Sequence, residues 1–102
     1  MSEKLRSILN FLVEEEKRRL DKELPEYANI LVLSTDPKGL VLTISVEGVD
    51  QAQHKRRILD ELCKVALVTT NIHYTERDME IIAHATPRGV EIAQMLKKEN
   101  GS

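Results

Sequence analysis

The sequence predicts an α+β fold, mostly helical, in a single domain spanning residues 1–102. Three observations carry that reading. The run from Asp50 to about Lys64 has apolar residues at helical spacing, with Ala52, Leu59, Leu62 and Ala66 on one side, joined by Ile58 and Val65. Val68 to Tyr74 and Met79 to Ala83 alternate on either side of the polar turn Thr75-Glu76-Arg77-Asp78, which is a hairpin pattern. Thr86-Pro87 then opens a last helix, because threonine caps a helix start and proline fits its first turn.

The elements follow in order. Leu5, Ile8, Leu9 and Leu12 recur at spacings of three and four, so residues 3–23 read as a helix that Ser2 can cap. Its second half, Glu14 to Lys22, is nearly all charged. Pairs such as Glu14 with Arg18 and Glu15 with Arg19 mark a solvated helix face, or an arm that pairs with a second chain. Pro25 restarts the chain. Residues 25–34 read as a second helix with Tyr27, Ile30, Leu31 and Leu33 inward, although Ile30 to Leu33 also suits a short buried strand. Asp36-Pro37-Lys38-Gly39 is a turn. Leu40 to Val46 alternates as a strand does. Gly48 punctuates, and Asp50 is a good N-cap. In the last helix Val90, Ile92, Ala93 and Leu96 form the apolar side.

Composition narrows the function classes. Aromatic residues are 3% of the chain, so the core must be aliphatic. Fifteen Lys and Arg stand against seventeen Asp and Glu, a formal charge of -2. That balance argues against nucleic-acid binding by bulk charge, but it is compatible with a local basic face. Cys63 is the only cysteine, which excludes an intrachain disulfide and suits a reducing cytoplasm. It reads as a small core residue. No apolar run is long enough to span a membrane, and Glu3 and Lys4 do not fit a signal peptide. His54, His73 and His84 lack compact metal spacing with Cys63, and no phosphate-cradling loop or nucleophile motif is present. No metal, cofactor or catalytic residue is expected.

Three segments carry a resemblance. They are Gly48-Val49-Asp50-Gln51, then Arg57-Ile58-Leu59-Asp60-Glu61-Leu62 with Lys64-Val65-Ala66-Leu67-Val68, and last Ala85-Thr86-Pro87-Arg88-Gly89-Val90-Glu91-Ile92-Ala93. In that order, over residues 48–96, the chain resembles winged helix-turn-helix transcription regulators of the MarR-like and PadR-like kind and their small archaeal relatives. The resemblance implies an N-terminal helix 3–23, a winged-helix core 25–84 and a C-terminal helix 87–98. It implies a recognition helix 50–64 in the major groove and a β-wing 69–84 beside it. Three departures stand out. The recognition helix is one residue longer than the usual pattern between the Gly turn and the Leu-Val pair. Ala66 stands where a glycine is common. Residues 40–47 are β-branched where a short helix is expected.

The chemistry expected of such a site is donor-rich. Gln51 and Gln53 can pair with adenine edges, Arg56 and Arg57 with guanine or phosphate, and His54 and Lys55 with phosphate. On the wing, Asn71, His73, Thr75 and Arg77 are the candidates, with Glu76 and Asp78 opposing them near phosphate. The expected partner is double-stranded DNA, read by a homodimer. The dimer would form through the helices carrying Leu5, Ile8, Leu9 and Leu12 and Val90, Ala93 and Leu96. An alternative is a small α+β protein-interaction module. If 28–34 and 40–47 are both strands, the order becomes α-ββ-α-ββ-α, loosely similar to a BON-type domain over residues 3–74. Cys63 with Val65 faintly resembles OsmC-type thiol peroxidases, but that chemistry needs a second cysteine.

Overall fold

A computed structural model describes residues 3–10, 14–45 and 50–101. Among them the order is α1 (Glu3–Ile8), α2 (Glu14–Leu33), β1 (Leu40–Ser45), α3 (Asp50–Lys64), β2 (Val68–Tyr74), β3 (Asp78–Ala85) and α4 (Pro87–Gly101). The class is α+β with helix dominant, as expected. The three strands form one antiparallel sheet in the order β1-β3-β2.

The N-terminal half departs from expectation. The helix foreseen over 3–23 ends at Ile8, and a new one runs unbroken from Glu14 to Leu33 with Pro25 inside it. Proline inside a helix removes one hydrogen bond and crowds the preceding turn. Here the apolar stripe outweighs that cost. Leu20, Leu24, Tyr27 and Leu31 recur at spacings of four, three and four, and all are buried. Residues 28–33 are therefore helical, and the α-ββ-α-ββ-α alternative fails because its first strand is part of α2, which leaves β1 as the one strand before α3 among the described residues. The predicted turn holds. Lys38 N–H donates to Asp36 Oδ1 at 2.9 Å, Gly39 N–H donates to Asp36 O at 2.8 Å, and Gly39 sits at φ +78. Residues 40–45 are a strand, as their alternation predicts, where the resemblance expects a short helix.

Side chains alternate across the sheet. Ile44, Ile81, Ala83 and Val68 lie on the face toward the helices and are buried. Val41, Thr43, Asn71 and His73 lie on the opposite, exposed face. The core is aliphatic, with Tyr27 as its one buried aromatic among the described residues.

The two stripes assigned to dimerisation are core. Leu5, Leu9, Ala93 and Leu96 are buried within the chain, while Ile8 and Val90 are half-buried. A dimer through them would have to open the monomer. They have internal partners because α1 packs on α2 and α4 packs on α2 and β3. Leu12, Ser2 and the Gly48-Val49 turn lie outside the described residues. Cys63, Ala66 and Leu33 are exposed rather than core, Leu33 because it falls off the Leu20-Leu24-Tyr27-Leu31 stripe of α2.

The junction after α3 is tightly specified. Ala66 N–H donates to Cys63 O and Leu67 N–H to Leu62 O, both at 3.0 Å, with Ala66 at φ 60. This is a Schellman ending, which places its turning residue in the left-handed region. Ala66 thus occupies a position with a physical reason to prefer glycine. Thr86 closes the same junction. Its hydroxyl donates to Ala66 O at 2.6 Å and accepts from Gly89 N–H at 3.1 Å, capping α4 as predicted. A Cβ on Gly89 would stand 2.0 Å from Leu67 O, so only glycine lets α4 approach this closely.

Candidate nucleic-acid interface

α3 lies where the recognition helix is expected, and β2 and β3 form the expected hairpin. The polar residues of α3 divide into two groups. One group faces α2 and is engaged there.

Arg57 is the hub of that group. Its Nη2 donates to Glu23 Oε2 at 2.9 Å and to His54 Nδ1 at 2.8 Å, and its Nη1 donates to the Tyr27 hydroxyl at 3.3 Å. Glu61 Oε1 lies 3.7 Å from Arg57 Nη1 and accepts from Arg19 Nη2 at 3.1 Å. The Tyr27 hydroxyl donates to the other Glu61 oxygen. His54 Nε2 lies 2.8 Å from Glu26 Oε2. A guanidinium can only donate, so His54 Nδ1 must accept. Its Nε2 therefore carries the proton and donates to Glu26.

Glu61 is buried, and carboxylates enter a core when paired. The cluster supplies that pairing from three sides. Burial raises the Tyr27 pKa, and the adjoining Glu61 carboxylate raises it further. For Arg57, burial disfavours the charge, but the bonds to Glu23 and Tyr27 outweigh it and hold the pKa above its ordinary value. Arg19 Nε is buried 3.6 Å from Glu23 Oε2, with no hydrogen-bond partner among the described residues. His54 and Arg57 are thus committed to an internal clasp between α2 and α3. Sequence reasoning missed its α2 members, Arg19, Glu23, Glu26 and Tyr27. The only signal was their placement on one side of a helix read as two pieces.

The second group faces outward. Gln53 and Lys55 are exposed and Arg56 is half-buried. All three are hydrogen-bond donors in the N-terminal half of α3. Asp60, exposed on the following turns, adds an opposing charge. The side chain of Gln51 lies outside the described residues.

The wing candidates divide as well. Asn71 and His73 project from the sheet face away from the helices, with His73 opposite Glu80. The structure does not bring them to the side where α3 lies. Arg77 is exposed at the hairpin tip, in the loop of Thr75, Glu76 and Arg77. None of the three has a positive φ. Thr75 sets the turn instead, accepting from Asp78 N–H at 2.9 Å through its hydroxyl and donating its own N–H to Asp78 O at 2.8 Å.

Among the described residues no group of three His, Cys, Asp or Glu side chains could hold a metal, and no helix is long and apolar enough to cross a membrane. No family model, curated protein or solved structure matches the chain.

Proposed function

We propose that this chain is a winged-helix DNA-binding protein, a transcription regulator of the cytoplasm, that contacts duplex DNA through the outer side of α3. One observation carries the reading. The clasp to α2 fixes the inner side of α3, so Gln53, Lys55 and Arg56 are offered by a helix whose orientation is already set. Donors near the start of such a helix reach base edges and phosphates. The hairpin that follows α3 places Arg77 at an exposed tip. His54 and Arg57 position the helix, and Asn71 and His73 leave the contact set.

The test is fluorescence anisotropy with labelled random-sequence duplex across a salt series. Binding should weaken steeply with salt, because neutralised phosphates release counterions. Lys55→Ala with Arg56→Ala should lower affinity and reduce the slope of log affinity against log salt by about two. The chain should stay folded by circular dichroism. Absence of binding at low salt would overturn the proposal. Unchanged binding by the double variant would show that α3 is not the contact.

A further inference from the structure

Among the described residues the hairpin has an unpaired strand edge whose chemistry is unusual. β3 lies between β1 and β2, so β2 is an edge strand. Thr75 N–H bonds Asp78 O, and Thr86 N–H bonds Leu67 O. Those bonds place the hydrogen-bonded pairs of the hairpin at the odd residues of β2. Alternation then turns the N–H and C=O groups of Val68, Thr70, Ile72 and Tyr74 outward, away from β3. Natural edges are blocked by lysine, proline, bulges or inward charges. The seven residues of β2 contain no Lys, Arg, Asp, Glu or Pro, and their register with β3 is unbroken. Ile72 is 43% exposed and Tyr74 77% exposed on the face of the sheet that carries the core. The other edge, β1, has Leu40 and Leu42 half-buried and Ile44 buried at the matching positions.

We propose that two copies of this chain pair through β2, antiparallel about a two-fold axis at Asn71. In that register all seven residues of each strand find a partner. Val68 stands opposite the partner's Tyr74 and Thr70 opposite the partner's Ile72, so each exposed apolar side chain gains a neighbour across the seam. In the same register the exposed tip residue Glu76 falls in line with the partner's Ala66, two positions beyond the exposed basic residue Lys64 that ends α3. No like charges face each other along the strands. The two sheets become one, with both helical layers on the same side. This replaces the helix-mediated dimer, whose stripes are buried in the core.

The test uses the full chain without DNA, so its outcome is independent of the functional reading. Sedimentation equilibrium across a concentration series should show a monomer–dimer equilibrium. Thr70→Pro should raise the dimer dissociation constant by about tenfold or more. Proline there removes an outward N–H and spares the bonds to β3. A second variant keeps the proposal testable if proline disturbs folding. Asn71→Cys in a Cys63→Ser background puts two thiols opposite each other across the axis, within disulfide reach. Mild oxidation should give a covalent dimer. A monomer at all concentrations would overturn the proposal and leave the edge to a strand from another protein. A dimer that Thr70→Pro leaves unchanged while folded, or that Asn71→Cys fails to cross-link, would also overturn it.

Discussion

The side of α3 and its C-terminal end are held in opposite ways. Along its length, from His54 to Glu61, it is tied to α2 by side-chain charge, through Arg57, His54 and Glu61. Its C-terminal end is tied to β2 and α4 by backbone groups, through Ala66, Leu67 and Thr86. The first attachment depends on residues more than twenty positions away in sequence. The second is assembled from adjacent residues and one cap. The difference teaches where a donor-rich helix can mislead. Identical side-chain chemistry serves a ligand or a neighbouring helix, and only the partner decides which.

Four substitutions test that contrast. Gly89→Ala should be the most damaging, because its Cβ meets Leu67 O and backbone cannot move aside cheaply. A loss of about 3 kcal/mol is expected in urea unfolding. A loss near zero would mean that α4 can retreat from the junction. In the clasp with α2, Glu61→Ala strips Arg19, Arg57 and Tyr27 of a shared acceptor. Breaking a buried ion cluster costs roughly 3 kcal/mol, somewhat less here because Arg19 and Arg57 keep some contact with water. Differential scanning calorimetry would read this as a lowered Tm.

Tyr27→Phe removes one bond of the same clasp and should cost about 1–2 kcal/mol near neutral pH. It also carries a pH signature. The folded chain holds the Tyr27 proton more tightly than the unfolded chain does, since its pKa is raised. The associated stability is full below the unfolded value of about 10 and is lost as pH rises above it. The gap between wild type and Tyr27→Phe should therefore narrow in alkaline solution. A gap constant up to pH 11 would show that the hydroxyl is not held as described. The smallest effect is a gain. Ala66→Gly relieves a left-handed alanine that is exposed and packs on little, and should stabilise by about 1 kcal/mol.

What was legible in the sequence follows the same division. α3, the hairpin, the Asp36–Gly39 turn and the Thr86 cap obey rules that act over a few residues, and the structure has them near the expected bounds. Ala66 stands where the resembled pattern commonly has glycine, and its φ of 60 gives the reason. The N-terminal half was misread because Pro25 is a strong local signal. The Leu20-Leu24-Tyr27-Leu31 stripe that overrides it is visible only when the two sides of the proline are read together. For the candidate site, helix position was legible and side-chain commitment was not. Nothing local to His54 or Arg57 says that Glu23, Glu26 and Tyr27 will stand opposite. The stripes of α1 and α4 lacked a visible partner for the same reason, since their partners come from α2 and β3.

The Thr86 junction makes the β2–β3 hairpin a lever clamped at one end. At its base the strands are joined to two helices through Leu67, Ala66 and Gly89. At its tip only Thr75 and Asp78 hold the strands together. Opening should therefore start at Glu76 and Arg77 and run toward Val68, as a zipper opens from its loose end. Amide protons along β3 would then exchange with solvent in a graded order, those bonded near the tip first and those beside Ala85 last.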